Sequence, residues 1–211
     1  MGDFRLEPEL TIGAGRSGCG KTTFLCRWLL NTPAACRFVF DDLGRVASRL
    51  RISPARTAAD CERMLAARWV IFSPHVMFPG DVAAGFRWFC SWVFEASKRG
   101  PGRKLVGIDE AWQFCSPHSL PRELATLAQA GREEGVWLYL GTQRPHKLNE
   151  SITGQATELV CFSLAPGPAL EKVVTLADEY PELAAEIRAL PLGSFVSVGL
   201  VKRGKVRGRV F

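Results

Sequence analysis

The chain has 211 residues, 47% hydrophobic and 23% charged, enough for one sizeable core and short of two comfortable domains. A net charge of +6 and a pI near 9.1 favour an anionic partner such as nucleic acid. The seven cysteines are odd in number and form no CxxC pair, which argues against a zinc site or a disulfide framework and for a reducing compartment.

Along the chain, short apolar runs alternate with helical patterns, the signature of an α/β protein with a mainly parallel sheet. The first ten residues, MGDFRLEPEL, hold no apolar signal segment, and Leu6 spoils a myristoylation pattern. Strands are predicted over residues 9–12, 37–40, 69–72, 104–108, 136–140 and 158–164. Helices are predicted over residues 21–30, 57–68, 81–98, 121–133, 169–176 and 181–190. The end reads as a hairpin, SFVSVGLV and VRGRVF around a KRGK turn. No repeat or linker interrupts the pattern, so residues 1–211 read as one domain. The uncharged run WVIFSPHVMFPG is too short and too broken by proline to span a bilayer. A soluble, intracellular protein is expected.

Within the predicted helix at 81–98, FRWFCSWVF is apolar on nearly every side. Phe86, Phe89 and Val93 share one face, and Trp88 and Trp92 share another. Burial against the sheet and a docking surface for another protein are the two readings.

The segment between the first strand and the first helix carries the chemistry. From Gly15, GRSGCGKT satisfies the GxxxxGK[ST] phosphate-loop pattern in its strand–loop–helix context. Arg16, Ser17, Gly18, Cys19 and Gly20 continue the loop, whose main-chain N–H groups can close around phosphate oxygens; Thr23 follows at the helix start. Lys21 is expected to bridge the terminal phosphates of ATP, and the Thr22 hydroxyl to hold Mg²⁺. Cys19, beside a helix N-terminus and Lys21, is expected to have a lowered thiol pKa. It should then alkylate faster than the other cysteines, with Mg-ATP protecting it.

KLVGIDEAW supplies a buried strand with Asp109 at its C-terminal end, where open α/β sheets place ligands. Asp109 is expected to hold the Mg²⁺ through water, and Glu110 to act as general base on the attacking water. Trp112 reads as packing, and His75, His118 and His146, without metal-ligand spacing, as loop residues. The next strand, in VWLYLGTQRP, ends at Gln143, whose amide can bond a γ-phosphate or its water. Upstream, AGREEG puts Arg132 at a helix end, where it is either a solvated cation or a finger reaching a neighbouring subunit's nucleotide.

GRSGCGKTT, LVGIDEAW and AGREEGVWLYLGTQRP, in this order, resemble the FtsK–HerA superfamily of DNA-pumping ATPases. FVFDDLGRVASRL resembles the segment after the family's second strand, with Arg45 where a glutamate is expected. The resemblance covers about residues 9–201. It implies a P-loop NTPase fold (RecA/ASCE-like), with a mainly parallel sheet flanked by helices. It also implies phosphate and Mg²⁺ contacts from Lys21 and Thr22, metal and water contacts from Asp109 and Glu110, and a γ-phosphate sensor at Gln143. Arg132 falls where the family's trans-acting arginine does, with Arg144 a second candidate; a ring, usually a hexamer, follows.

A bare motor of this size most resembles the genome-packaging ATPases of tailless double-stranded DNA viruses with an internal membrane. The expected partners are then double-stranded DNA, gripped without regard to sequence, further copies of the chain, and capsid-vertex or membrane proteins. The expected location is the host cytoplasm or the virion. The alternatives are a prophage or plasmid DNA-transfer motor, a small-molecule kinase and a non-hydrolysing assembly factor. Two basic segments are candidate DNA contacts: Arg45, Arg49, Arg51 and Arg56, and the terminal Lys202, Arg203, Lys205, Arg207 and Arg209. Each reads equally well as a solvated basic face.

Overall fold

A computed structural model describes residues 9–202 and 204–211. The predicted apolar runs form β1 (Leu10–Ala14), β2 (Cys36–Phe40), β3 (Trp69–Phe72), β4 (Lys104–Ile108), β5 (Val136–Thr142) and β6 (Glu158–Phe162). With β7 (Ser194–Gly199) and β8 (Gly204–Arg209) they make one eight-stranded sheet, ordered β3-β2-β4-β5-β1-β6-β7-β8. The first six strands run parallel, and the terminal hairpin adds the antiparallel pair. Near-continuous apolar runs suit these strands because helices cover both faces.

Along the strands alternate residues divide between two cores. Phe38, Phe40, Val106, Ile108, Leu138 and Leu140 join the larger one. There they meet α4 (Val82–Ser97), α5 (Arg122–Gln129), α7 (Pro168–Leu176) and α8 (Leu183–Ala189). Val39, Ile71, Leu105 and Tyr139 face the other way, onto α1 (Lys21–Asn31) and α2 (Arg45–Leu50). The FRWFCSWVF segment lies in α4, where Phe86, Phe89, Cys90 and Val93 are fully buried. Phe86 stacks on Phe114 at 4.4 Å between ring centroids and meets Phe40 edge-on at 5.2 Å. Trp88 and Trp92 stack at the rim, and Trp92 Nε1 donates to Glu62 Oε1 at 2.9 Å. Burial therefore accounts for Phe86, Phe89 and Val93, while Trp88 and Trp92 stay partly exposed.

Predicted and observed bounds differ where tertiary pairing extends or cuts an element. β1 and β5 run on to Ala14 and Thr142 because these residues continue their mutual ladder. α5 ends at Gln129 and passes into a 3-10 turn, Ala130–Arg132, where Gly131 weakens the helix. α3 (Ala58–Ala66) starts at a capping box in which Thr57 Oγ1 accepts from Asp60 N at 3.1 Å. α2 was not among the predicted helices, and α6 (Glu150–Thr153) is a single turn.

The terminal basic segment is partly neutralised within the chain. Lys205 pairs with Glu182 and Glu186 of the α8 region, and Arg207 pairs with Glu186. Arg209 and Lys202 are exposed, and Arg203 lies outside the described residues. No described helix is long and apolar enough to cross a membrane.

Candidate functional site

β1 lies between β5 and β6, and β5 pairs in turn with β4. The chain leaves β1 toward β2 on one side and returns through β6 on the other. Such a switch point opens a crevice at the C-terminal ends of parallel strands. Here it brings together the segments that follow β1, β4 and β5: the glycine-rich loop, Asp109–Glu110 and Gln143.

The loop turns directly into α1. Gly20 caps the helix with φ 118°, a left-handed conformation that a side chain would strain, and a Cβ there would meet Val210 at 2.7 Å. α1 has no side-chain cap and no acidic residue in its first turn, so its N-terminal N–H groups and dipole are offered to an anion. The Lys21 ammonium, buried at 5% exposure, donates to the carbonyls of Gly15 at 2.8 Å and Arg16 at 3.0 Å. Its Nζ is 4.0 Å from Glu110 Oε1.

The acidic pair divides between two partners. The Thr22 hydroxyl donates to Asp109 Oδ2 at 2.7 Å, placing two hard oxygen donors side by side. That donor set fits Mg²⁺, which takes few protein oxygens and keeps several waters. Gly141 is small of necessity, because a Cβ there would stand 2.8 Å from Asp109 Oδ1. Glu110 turns the other way. Its Oε1 accepts from Gln143 Nε2 at 2.5 Å, and its Oε2 from Trp112 Nε1 at 2.9 Å and Gln143 N at 3.3 Å. Glu110 has φ 54°, one of three non-glycine residues with positive φ among the described residues. Such strain persists where the surroundings over-determine a conformation, and the three donors supply that constraint. Trp112, expected as packing, orients a carboxylate; its spacing two residues after Glu110 was the available signal.

Arg45 and Arg49, read from the sequence as candidate DNA contacts, both line the phosphate-loop cleft. Arg51 and Arg56 of the same segment do not line it and are exposed. Asp41, 3% exposed, accepts from Ala47 N at 2.8 Å and so anchors α2. Burial pushes the Asp41 carboxyl above the ordinary aspartate range, although main-chain N–H groups of α2 pull it back.

The two arginines proposed as fingers lie far apart. Arg132 precedes β5, at the opposite end from Gln143, and seven extended residues span roughly 23 Å. Its guanidinium pairs with Glu9 Oε2 at 3.1 Å and donates to the Gln155 carbonyl at 3.1 Å. Arg144 stays beside its own chain's site, its guanidinium carbon 4.6 Å above the Trp112 ring.

The reactive Cys19 expected from sequence is corrected. Cys19 is 1% exposed among Val160, Phe162 and Val210, and burial raises its pKa against the opposing charges of Lys21 and Arg16. Desolvation disfavours a thiolate more than those cations stabilise it. All seven cysteines are buried. A water-soluble thiol reagent at neutral pH should therefore label the folded protein slowly and without preference for Cys19. Mass spectrometry of briefly labelled protein checks this; Cys19 modified first would contradict it.

No known family model matches the chain, and no curated protein matches it. Solved structures do. The genome packaging NTPase B204 from Sulfolobus turreted icosahedral virus 2, in complex with ATP-gammaS, superposes with a TM-score of 0.72 at 17% identity. That match covers 95% of this chain and 96% of the other. VirB4 of Thermoanaerobacter pseudethanolicus matches with a TM-score of 0.68 at 11% identity, over 94% of this chain and 88% of that one. The cytoplasmic domain of the Thermomonospora curvata type VII secretion ATPase EccC matches with a TM-score of 0.60 at 15% identity, over 95% of this chain and 25% of that one. The chain has the α/β fold of these proteins, a mostly parallel sheet flanked by helices and closed by an antiparallel hairpin.

Proposed function

We propose that the protein hydrolyses ATP to drive double-stranded DNA, most specifically a viral genome into a preformed capsid. The observation that carries this reading is the joining of Thr22 to Asp109 and of Gln143 to Glu110 at the mouth of one phosphate loop. The first pair suits a metal on the phosphates, and the second holds a carboxylate where an attacking water would stand. The fold shared with a genome packaging NTPase supports the assignment to DNA movement.

In this reading the loop N–H groups and Lys21 neutralise the phosphate chain, as catalysis by positioning and electrostatics requires. Thr22 and Asp109 would hold Mg²⁺, which when bound would supply a positive charge against the phosphates. Glu110 takes a proton from water as the water oxygen attacks the γ-phosphorus. The bond from phosphorus to the β-bridging oxygen breaks, giving ADP and phosphate. Gln143 contacts both Glu110 and the γ-phosphate region, so product formation would be felt at the end of β5. Copies of the chain form a ring, a hexamer by the sequence resemblance, around DNA gripped through phosphates. Its place is the host cytoplasm and the packaging vertex.

The test is steady-state phosphate release with Mg-ATP, with and without plasmid DNA of several sequences, beside a panel of metabolite acceptors. Stimulation by every duplex is expected, as is loss of turnover in Lys21→Ala. Phosphoryl transfer to a metabolite, indifferent to DNA, would replace the motor by a kinase. For the packaging step, the expectation is a major capsid gene beside this one in the genome.

A further inference from the structure

α2 presents Arg45 and Arg49 one turn apart, both exposed and both lining the cleft with Lys21, Thr22, Glu110 and Gln143. Residues four apart lie on the same face of a helix, with an axial rise of about 6 Å. Arg45 also lines the adjoining hollow with Asp41, Asp109 and Glu110, so it stands at the water and metal end of the cleft. Arg49 lines the loop cleft with Thr22 and Thr23, which belong to the first turn of α1. Neither arginine is held by an ion pair among the described residues, in contrast to Arg63, Arg99, Arg132 and Arg207. Their helix, by contrast, is fixed: Asp41 accepts from its main chain, and Val46 and Ala47 are buried against α1 and the sheet.

We infer that Arg45 and Arg49 form a second cationic wall of the nucleotide site, opposite the phosphate loop and supplied by the same chain, with Arg45 contacting the terminal phosphate. The inference rests on the ATP-binding reading and deepens it. A guanidinium carries forked donors matched to phosphate oxygens, and charge-assisted bonds of this kind are stronger than neutral ones. Arg45 lies with Glu110 and Gln143 and so distinguishes a triphosphate from a diphosphate. Arg49 lines the loop cleft but not the hollow beside Asp109, and so contacts phosphates common to both. These two arginines are then withdrawn from the DNA-facing surface, where Arg51 and Arg56 remain.

Calorimetric titration with Mg-ATPγS and with Mg-ADP tests this, on wild type and on Arg45→Ala, Arg45→Lys, Arg49→Ala, Arg51→Ala and Lys21→Ala. Circular dichroism and thermal melting confirm that each variant is folded. Arg45→Ala should bind ATPγS about tenfold to a hundredfold more weakly, as expected for loss of a charged hydrogen bond, and ADP almost as before. Arg45→Lys should recover part of the loss, Arg49→Ala should weaken both ligands, and Arg51→Ala should change neither. An unchanged ATPγS-to-ADP affinity ratio in folded Arg45→Ala, with Lys21→Ala still losing ATPγS, overturns this inference and leaves the nucleotide site standing. Loss of duplex-DNA affinity in Arg45→Ala, with ATPγS binding intact, overturns it in the same way. Failure of wild type to bind ATPγS overturns the nucleotide reading itself, and this inference with it.

Discussion

Glu110→Gln should bind Mg-ATP with near-normal affinity and hydrolyse it about a hundredfold to ten-thousandfold more slowly, the range expected for removing a general base. The substitution keeps the shape of the side chain and removes its charge and basicity. Its neighbours sharpen the expectation. The carboxylate accepts from Gln143 Nε2, Gln143 N and Trp112 Nε1, with all three donors converging on two oxygens. An amide in its place has one accepting oxygen and an NH₂ group that would face a donor. A flip of the Gln143 amide turns its oxygen to accept from that NH₂ group, while the amide oxygen at position 110 keeps the bonds from Trp112 Nε1 and Gln143 N. Glu110→Gln should accordingly melt close to wild type while turning over slowly. Trp112→Phe removes only one donor and leaves the base in place, so its turnover should lie between the two. Single-turnover phosphate release beside nucleotide titration separates chemistry from binding. Near-wild-type turnover in folded Glu110→Gln would remove the water-activating role.

Arg132→Ala should leave the nucleotide affinity of the isolated subunit nearly unchanged and lower turnover of the assembled ring by roughly a thousandfold or more, the worth of an arginine finger. The first half follows from position: Arg132 and the phosphate loop sit at opposite ends of the parallel strands. Within its own chain the guanidinium meets Glu9 and the Gln155 carbonyl. Loss of that exposed pair should cost no more than about 1 kcal/mol of stability. The second half follows from head-to-tail assembly, in which one subunit's strand-entry end can face the next subunit's strand-exit end. Mixing Arg132→Ala with Lys21→Ala subunits should restore part of the activity, because some interfaces join an intact loop to an intact arginine. Recovery places Arg132 in trans. Full activity of Arg132→Ala alone would discard it as the finger and pass the role to Arg144, which is stacked on Trp112 beside Glu110. No recovery in rings that demonstrably mix would mean that Arg132 acts in cis or that every site must be intact.

The parallel strands were legible because each is buried on both faces, and a run such as KLVGI has few other uses. The phosphate loop was legible because its constraints are local, with glycines, lysine and threonine acting on one turn and one helix start. α2 was not. Six residues are too few to display a helical period, and its start depends on Asp41, a buried side chain outside the helix. Without that helix, Arg45 and Arg49 were only charge, and charge in a sequence has no direction.

By itself the sequence determined the strands and the longer helices and marked the glycine-rich loop before α1, because main-chain geometry and short-range spacing decide both. Only the tertiary structure decided what those residues face. Cys19 lies two positions from Lys21 along the chain, yet Val160, Phe162 and Val210 govern its ionisation. Those neighbours come from β6 and the chain end, and burial among them outweighs the nearby cation. Asp109 and Glu110 are consecutive and chemically alike, but one meets Thr22 and the other meets Gln143 and Trp112. That division depends on β4 lying beside β5 and on Glu110's left-handed backbone. Hydrogen-bond partners and desolvation are set by neighbours in space, and a sequence orders neighbours only along the chain.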